Sequence, residues 1–393
     1  MLFLKVTFWV AFAIICYTYA GYAVVAWLWA KSLALLRKKN VLAPFEPEVT
    51  LVVPAYNEGA ILENKIKDCL ALDYPAEKLR LLFITDGSTD NSADLLSNYP
   101  QIRHLHTAAR GGKSLAENRA MEFVKTPYVI FTDCNTSLNE QAVREMVKHY
   151  QDPAVGAVSG EKKVMALDSS SGSGEGLYWK YESFLKRCDS DIYSLMGAAG
   201  ELVSFRSDLF QPLEHDTILD DFVQSLRIVD KGYKVVYEPK AYAMEAPSTS
   251  MKDEMKRKVR ICAGGWQSMA RLKSLLNPFR NPVVTFLYVS HRVLRWSLTP
   301  LLLALLLPLN MILAWAQGGF YTVFLALQVL FYLAAWLGWQ AELRGRKVKL
   351  LLVPLYFSMM NVAVFAGFSR FLRDAQPAAW EKAERAVFVS TNS

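Results

Sequence analysis

Apolar residues are segregated along the chain instead of being spread through it. Val6 to Ala30 carries no charged side chain, and Arg37-Lys38-Lys39 follows shortly after. About 20 apolar residues suffice to cross the hydrocarbon core of a bilayer, so this stretch is predicted to span one. A signal peptide is the competing reading, because Ala20 and Ala23 lie among small residues. Its apolar region would be too long, however, and the basic cluster is on the wrong side. A second apolar block runs from Trp296 to Ala341 without a charge and is broken at Gly318-Gly319. It predicts helices over Ser297–Gln317 and Phe320–Gln340, with a third over Leu350–Ser369. By the positive-inside rule, Arg37–Lys39 and Arg344–Lys349 both belong on the cytoplasmic side, leaving residues 40–295 as one cytoplasmic block. Pro282 to Trp296 is apolar but carries His291, Arg292 and Arg295. It fits either a helix lying in the interface, basic residues at the headgroups, or a simple extension of the next span.

Between these segments the pattern changes. Val49–Val53 is a continuous apolar run ended by Pro54, and Ile61, Leu62, Ile66 and Leu70 then recur at helical spacing. Leu81–Ile84, Ile102–Leu105 and Tyr128–Phe131 are further apolar strands, separated by helices over Ser92 to about Tyr99 and Ser114–Val124. Strand-helix alternation with apolar strands predicts an α/β domain whose sheet is mostly parallel and covered on both faces. Ligands of such sheets bind beyond the carboxyl ends of the strands. Polar clusters stand at three of those ends: Tyr56-Asn57-Glu58, Asp86-Gly87-Ser88 and Asp133-Cys134-Asn135. Each alone is a turn signal, but the series points to one shared site. His104 and His106 alternate along a strand and are expected to be sheet-face residues. Ser169–Gly176 is expected to be a flexible loop, and Leu177–Glu182 to begin a helix whose aromatic rings suit core packing or sugar stacking. Gly197-Ala-Ala-Gly200-Glu201 is a tight turn that could line an acceptor pocket.

Composition narrows the classes. A mean hydropathy of +0.14 is high for a soluble enzyme and too low for a chain that is all membrane. Aromatic content of 12% excludes disorder, and five cysteines without metal-ligand spacing exclude a disulfide scaffold. The net charge of +7 is mild for 393 residues, and the basic residues concentrate beside the membrane segments. Anionic headgroups, not nucleic acid, are therefore the expected partners.

The strand-end residues suggest chemistry. Asp86 can accept from a base edge or a ribose hydroxyl. Asp133 and Asn135 offer hard oxygens two residues apart, which suits Mg²⁺ or Mn²⁺ held jointly with substrate phosphates better than Zn²⁺. Ala109-Arg110-Gly111-Gly112-Lys113-Ser114 is a Gly-rich turn at a helix start, suited to an anionic neighbour. The phosphate-loop pattern is absent, and no GxGxxG follows the first strand, so dinucleotide and ATPase readings are weak.

Taken together, these motifs resemble the family 2 glycosyltransferases with a GT-A fold, the group that includes bacterial cellulose, hyaluronan and poly-N-acetylglucosamine synthases. Pro54-Ala-Tyr56-Asn57-Glu58 resembles the opening nucleotide-binding motif. Thr85-Asp86-Gly87-Ser-Thr-Asp90 resembles the Asp-Asp-Gly-Ser-Thr-Asp segment, with Asp86 at the uracil-contacting position and Thr85 in place of the first Asp. Lys113 resembles the lysine of the Gly-Lys segment, and Asp133-Cys134-Asn135 the Asp-x-Asp metal motif, with an amide as its last member. Ile218-Leu219-Asp220-Asp221 stands where the family has Thr-Glu-Asp, so the resemblance puts Asp221 at the catalytic base. Arg257-Lys-Val-Arg260-Ile261 resembles Gln-x-x-Arg-Trp, keeping Arg260 and replacing the Gln and Trp.

The resemblance implies an N-terminal transmembrane helix over 1–36, a cytoplasmic GT-A domain over 44–240 and acceptor-side or interfacial helices over 241–296. C-terminal transmembrane helices over 297–371 and a tail over 372–393 complete the chain. It further implies an inverting, metal-dependent transfer of sugar from a nucleoside-diphosphate donor, a UDP-sugar by the uracil position, to a growing polysaccharide. Asp221, Asp220 and Arg260 would be catalytic; Pro54, Tyr56, Asn57, Glu58, Asp86, Gly87, Lys113, Asp133 and Arg257 would bind the donor; Asp133 and Asn135 would hold Mg²⁺ or Mn²⁺. Transfer of a single sugar to a polyprenyl- or other lipid-linked acceptor is the alternative, and a non-catalytic nucleotide-sugar-binding subunit a second one.

Overall fold

The computed structural model describes residues 1–36, 44–164, 170–247, 250–346, 348–373 and 377. Arg37–Lys39, Lys347, Ser169 and the expected tail beyond residue 373 (377 aside) lie outside them. The chain forms two compact units. One comprises residues 1–32, 170–178, 250–346 and 348–373; the other comprises 33–36, 44–164 and 179–247.

The second unit holds a mixed eight-stranded sheet, in the order β3-β2-β1-β4-β7-β6-β8-β5. Its first half follows the apolar runs: β1 (Val49–Ala55), α3 (Gly59–Leu70), β2 (Leu79–Asp86), α4 (Ser92–Ser97), β3 (Ile102–Thr107), α5 (Lys113–Met121) and β4 (Tyr128–Thr132). Strands β3, β2, β1 and β4 are parallel neighbours. The second half is not the simple parallel continuation that the alternation suggests. It comprises β5 (Thr136–Leu138), α6 (Ala142–Val147), β6 (Val155–Val164), α7 (Ser170–Ile192), β7 (Leu202–Arg206), α8 (Asp220–Asp230) and β8 (Lys234–Glu245). There β7 runs antiparallel to both β4 and β6, β6 pairs parallel with β8, and β5 pairs antiparallel with β8. Val49, Leu51, Val53, Phe83 and Ile130 are fully buried between the sheet and α3, each stabilising the fold by roughly 1.5–3 kcal/mol. The Ser/Gly-rich stretch expected to be a loop is corrected: α7 is helical from Ser170 onward.

The first unit carries the apolar helices. Four of them are long and apolar enough to cross a membrane: Leu2–Leu36, Leu298–Gln317, Phe320–Leu343 and Lys349–Leu372. The first consists of α1 (Leu2–Cys16) and α2 (Tyr22–Leu36), joined by a π turn over Tyr17–Gly21. The others are α12, α13 and α14, preceded by α9 (Met251–Arg271), α10 (Pro282–Tyr288) and α11 (Leu294–Trp296). Gly318 and Gly319, at φ of 63° and 58°, end α12 where the glycine pair predicts a break. Phe8, Ala11 and Ile15 of α1 pack on Leu306, Leu309 and Leu313 of α12. On α14, Gly367 admits α9 so closely that a Cβ there would lie 2.6 Å from Cys262 Cβ.

Pro282 to Trp296 forms a helical segment with its own π turn over Val289–Val293 and stops at Ser297, whose φ and ψ are −130° and −89°. It is therefore not an extension of α12. Its basic residues do not all face outward either, for His291 and Arg292 are buried. Tyr22 lies against the His291 ring, and Tyr17 Oη sits 2.8 Å from Ser290 Oγ.

Candidate functional site

All three expected strand ends open onto one cleft of the second unit. Its walls include Pro54, Tyr56, Glu58, Asp86, Arg110, Lys113, Asp133 and Asn135. The loops after β1 and β2 are stitched together by Asn57. Held at a left-handed φ of 53°, it accepts the Thr89 N–H on its amide oxygen at 2.8 Å and donates its own N–H to Ser88 Oγ at 3.1 Å. Gly59 N–H, at the start of α3, donates to Asp90 at 2.8 Å.

Asp86, at the end of β2, is 4% exposed and accepts the N–H groups of Gly111 and Gly112 at 3.0 and 2.7 Å. Its carboxylate thus fixes the Gly-rich turn against the cleft. Arg110, carried by that turn, lies 3.8 Å over the Tyr56 ring. The turn leaves no room for a side chain at Gly87 (φ 69°), where a Cβ would stand 2.6–2.8 Å from the Arg110 backbone and Cβ. His104 and His106 are more than sheet-face residues. Both ring nitrogens meet the buried hydroxyl of Thr85, at 2.9 and 2.8 Å.

Lys113 opens α5 and gathers carboxylates. Its ammonium is 2.7 Å from Asp133, 3.5 Å from Asp220 and 3.9 Å from Glu117. Burial alone would pull this ammonium down, but Asp133, Asp220, Glu117 and Asp221 hold its pKa well above the ordinary lysine value. Burial and the neighbouring Asp220 push Glu117 well above the usual carboxylate range. Asp221 is pushed up to about 7, by burial first and by Asp220 and Glu201 as like charges, against the opposing pull of Lys113. The α8 cap is Leu219, and the Asp220 carboxylate faces Lys113. Gly200 lies against both partners, since a Cβ there would be 3.1 Å from Lys113 Nζ and 3.2 Å from Asp221 Cγ.

The metal-ligand candidates stand in the turn between β4 and β5. Lys65, buried in α3, supports that turn by donating to the Thr136 carbonyl at 2.8 Å. Among the described residues no three His, Cys, Asp or Glu side chains cluster at metal-holding spacing. The oxygens on offer are the Asp133 carboxylate and the Asn135 amide, both on the cleft wall. That set is too small for an all-protein cage. It does fit a hard divalent ion that completes its shell with diphosphate oxygens and water.

Within the second unit, then, Pro54, Tyr56, Asn57, Glu58, Asp86, Gly87, Lys113, Asp133, Asn135, Asp220 and Asp221 are brought to one cleft and the carboxylate corner around Lys113. Arg257 and Arg260 belong to α9 in the other unit. Arg257 is engaged there with Glu254 at 3.0 Å, as is Lys258 at 3.4 Å, and Tyr356 Oη donates to the same carboxylate at 2.9 Å. Sequence patterns missed Glu117, Lys65 and a buried set behind Asn135. In that set Lys162 pairs with Glu201 at 2.7 Å and with Glu245, while the Asn135 amide donates to Glu245 at 3.2 Å. The ring of Trp179 is flanked by Lys162 and Lys186 at 5.0 and 5.1 Å. Within this set, Glu245 alone carries a sequence signal, as a single charge after the Ala241–Met244 run.

The chain is similar to known proteins in sequence and in fold. Residues 50–194 match the family described as Glycosyl transferase family 2, and residues 128–339 match Glycosyl transferase family group 2. The poly-beta-1,6-N-acetyl-D-glucosamine synthase of Staphylococcus aureus (strain COL) is similar at 25% identity over 231 residues, 57% of this chain and 56% of that protein. The Staphylococcus epidermidis protein of the same name is 22% identical over the same length. The chain thus matches only about half the length of these relatives. Among solved structures, a mannosyltransferase from Pyrobaculum calidifontis, in complex with GDP-Man and Mn²⁺, has a TM-score of 0.71 at 21% identity. The likeness covers 94% of this chain and 99% of that one, and it is a likeness of fold.

Proposed function

Because the chain belongs to glycosyl transferase family group 2, we propose that it moves a sugar from a nucleoside-diphosphate donor to a growing polysaccharide at a membrane, with inversion at the anomeric carbon. The observation that carries this reading is the corner where Lys113 holds Asp133 and Asp220 beside Asp221, whose carboxyl is poised near neutrality. A general base works best when its pKa lies near the operating pH. Asp221 takes the proton of the acceptor hydroxyl as that oxygen forms its bond to the anomeric carbon. The bond to the diphosphate breaks on the opposite face, and its electron pair leaves with the nucleoside diphosphate. An α-linked donor therefore gives a β-linked product.

Tyr56, Arg110 and the turn fixed by Asp86 shape the nucleotide end of the cleft, and Lys113 supplies positive charge beside the diphosphate. Asp133 and Asn135 would hold Mg²⁺ or Mn²⁺, which when bound stabilises the charge developing on the leaving group. The Pyrobaculum mannosyltransferase, solved with Mn²⁺, makes that ion the first to test. Arg260 is assigned to the same leaving group and Arg257 to the donor, on the strength of their motif. The basic residues flanking the spans support a catalytic unit on the cytoplasmic side of the cell membrane.

The poly-N-acetylglucosamine synthase relatives favour UDP-N-acetylglucosamine as donor and a polysaccharide as acceptor. The four candidate spans among the described residues are few to enclose a polymer channel, which keeps a lipid-linked acceptor as the second reading. Membrane vesicles given radiolabelled UDP-N-acetylglucosamine or GDP-mannose decide between them. High-molecular-mass label supports the polymerase, organic-extractable label supports transfer to lipid, and intact donor with no diphosphate release ends both. Asp221→Asn is expected to lower transfer by about 10²–10⁴-fold while leaving donor binding in place. Turnover near the wild-type rate removes Asp221 from the mechanism.

A further inference from the structure

We propose that Glu245 is the positioning residue that makes Asn135 a metal donor, and that it dictates an amide instead of an acid at that position. The proposal rests on the reading above that a divalent ion shares Asp133 and Asn135 with the donor diphosphate.

The register of the sheet creates the contact. Thr136 pairs with Glu245 across β5 and β8, so Asn135, one residue earlier, reaches the last carboxylate of β8. Its Nδ2 donates to Glu245 Oε1 at 3.2 Å. An ionised carboxylate only accepts, whereas an amide offers a donor and an acceptor. The NH₂ group must therefore face Glu245, which leaves the amide oxygen for the cleft that Asn135 lines. A hydrogen bond from an amide to a carboxylate also draws electron density toward the amide oxygen, the usual way an outer residue strengthens a metal ligand.

The rest of the set explains why the last motif residue is not an aspartate. Glu245 is 3% exposed and is bonded by Lys162, which is itself shared with Glu201. A carboxylate at position 135 would set acceptor against acceptor, since neither it nor the Glu245 carboxylate has a hydrogen to donate. The Glu245 carboxylate stands one layer behind, against the amide of Asn135. Glu245 is not among the residues that line the cleft, and its contact with the lining runs through Asn135.

The test is Mn²⁺ binding to the full chain in detergent micelles, read as loss of the free-ion electron paramagnetic resonance signal, with UDP or GDP present and no turnover. Glu245→Ala is expected to weaken Mn²⁺ by about 10-fold or more. Asn135→Asp, despite its added charge, is expected to bind no tighter than wild type while Glu245 remains. The double variant Asn135→Asp with Glu245→Gln is expected to regain wild-type affinity or better, because the new amide donates to the new acid. Unchanged affinity in Glu245→Ala, or tighter binding by Asn135→Asp alone, overturns the proposal. Should Glu245→Ala fail to fold, the Asn135→Asp single and the double variant decide. Wild-type protein that binds no Mn²⁺ with either nucleotide overturns the metal reading beneath it as well; wild-type binding with indifferent Glu245 variants overturns this proposal alone.

Discussion

The two halves of the sheet finish their strands by different means. In the parallel half, polar side chains at strand ends are met by main-chain N–H groups: Asp86 by Gly111 and Gly112, Asn57 by Thr89, Asp90 by Gly59. In the mixed half, the ends are tied by buried charges, Lys162 between Glu201 and Glu245, with Asn135 beyond. Main-chain donors keep their place as long as the turn keeps its shape. A charge network depends on every member, because removing one leaves another buried without its counter-ion. The first half is therefore vulnerable at glycines and the second at charges.

The largest expected effect follows from that difference. Lys162→Met leaves Glu201 and Glu245 without their cation and is expected to destabilise the protein by about 3–5 kcal/mol, read as a lowered thermal unfolding midpoint. A midpoint within a degree of wild type would mean that the network is not a unit. Next comes Gly87→Ala, which must adopt a left-handed φ and push Arg110 away. Strain of about 1–3 kcal/mol is expected, with weaker nucleotide binding by calorimetry and a much smaller change in melting.

Asp220→Asn probes the corner between the halves. As the base proposed above, Asp221 acts in its carboxylate form, so transfer is expected to fall as pH drops below about 7. Removing Asp220, the largest contributor after burial, is expected to move the acid limb of kcat/KM to lower pH by about one unit, roughly 1.4 kcal/mol. A limb that stays in place, or moves up, assigns the titration to another group. The smallest effect belongs to Asn57→Gly. Glycine accepts the φ of 53° without strain, so the loss falls on the side-chain bonds to Thr89, about 0.5–1.5 kcal/mol in unfolding.

The same contrast explains how much was legible beforehand. Strands β1, β2 and β4 hold continuous apolar runs ended by turn residues, and their strand-end motifs face one cleft, as the parallel pattern requires. The membrane helices were equally plain, since a long uncharged run has few other uses. The mixed half was hidden because its order depends on tertiary pairing. Glu161-Lys162-Lys163 reads as the polar exit of a strand, yet Lys162 is 2% exposed through partners 39 and 83 residues away. Ser170–Gly176 reads as a loop because glycine and serine are poor helix formers, but the backbone continues the helix that follows, so context overrides propensity. His291 and Arg292 read as headgroup contacts; burial against Tyr22 and Trp296 was not encoded in their spacing.

Gly200 ties protein engineering at this corner to a tight fit. A Cβ there would stand 3.1–3.3 Å from the ammonium of Lys113 and the carboxyl of Asp221, so even alanine asks both groups to give by a few tenths of an ångström. Under the sugar transfer proposed above, enlarging this position is expected to disturb the proton-accepting corner before it reshapes the cleft.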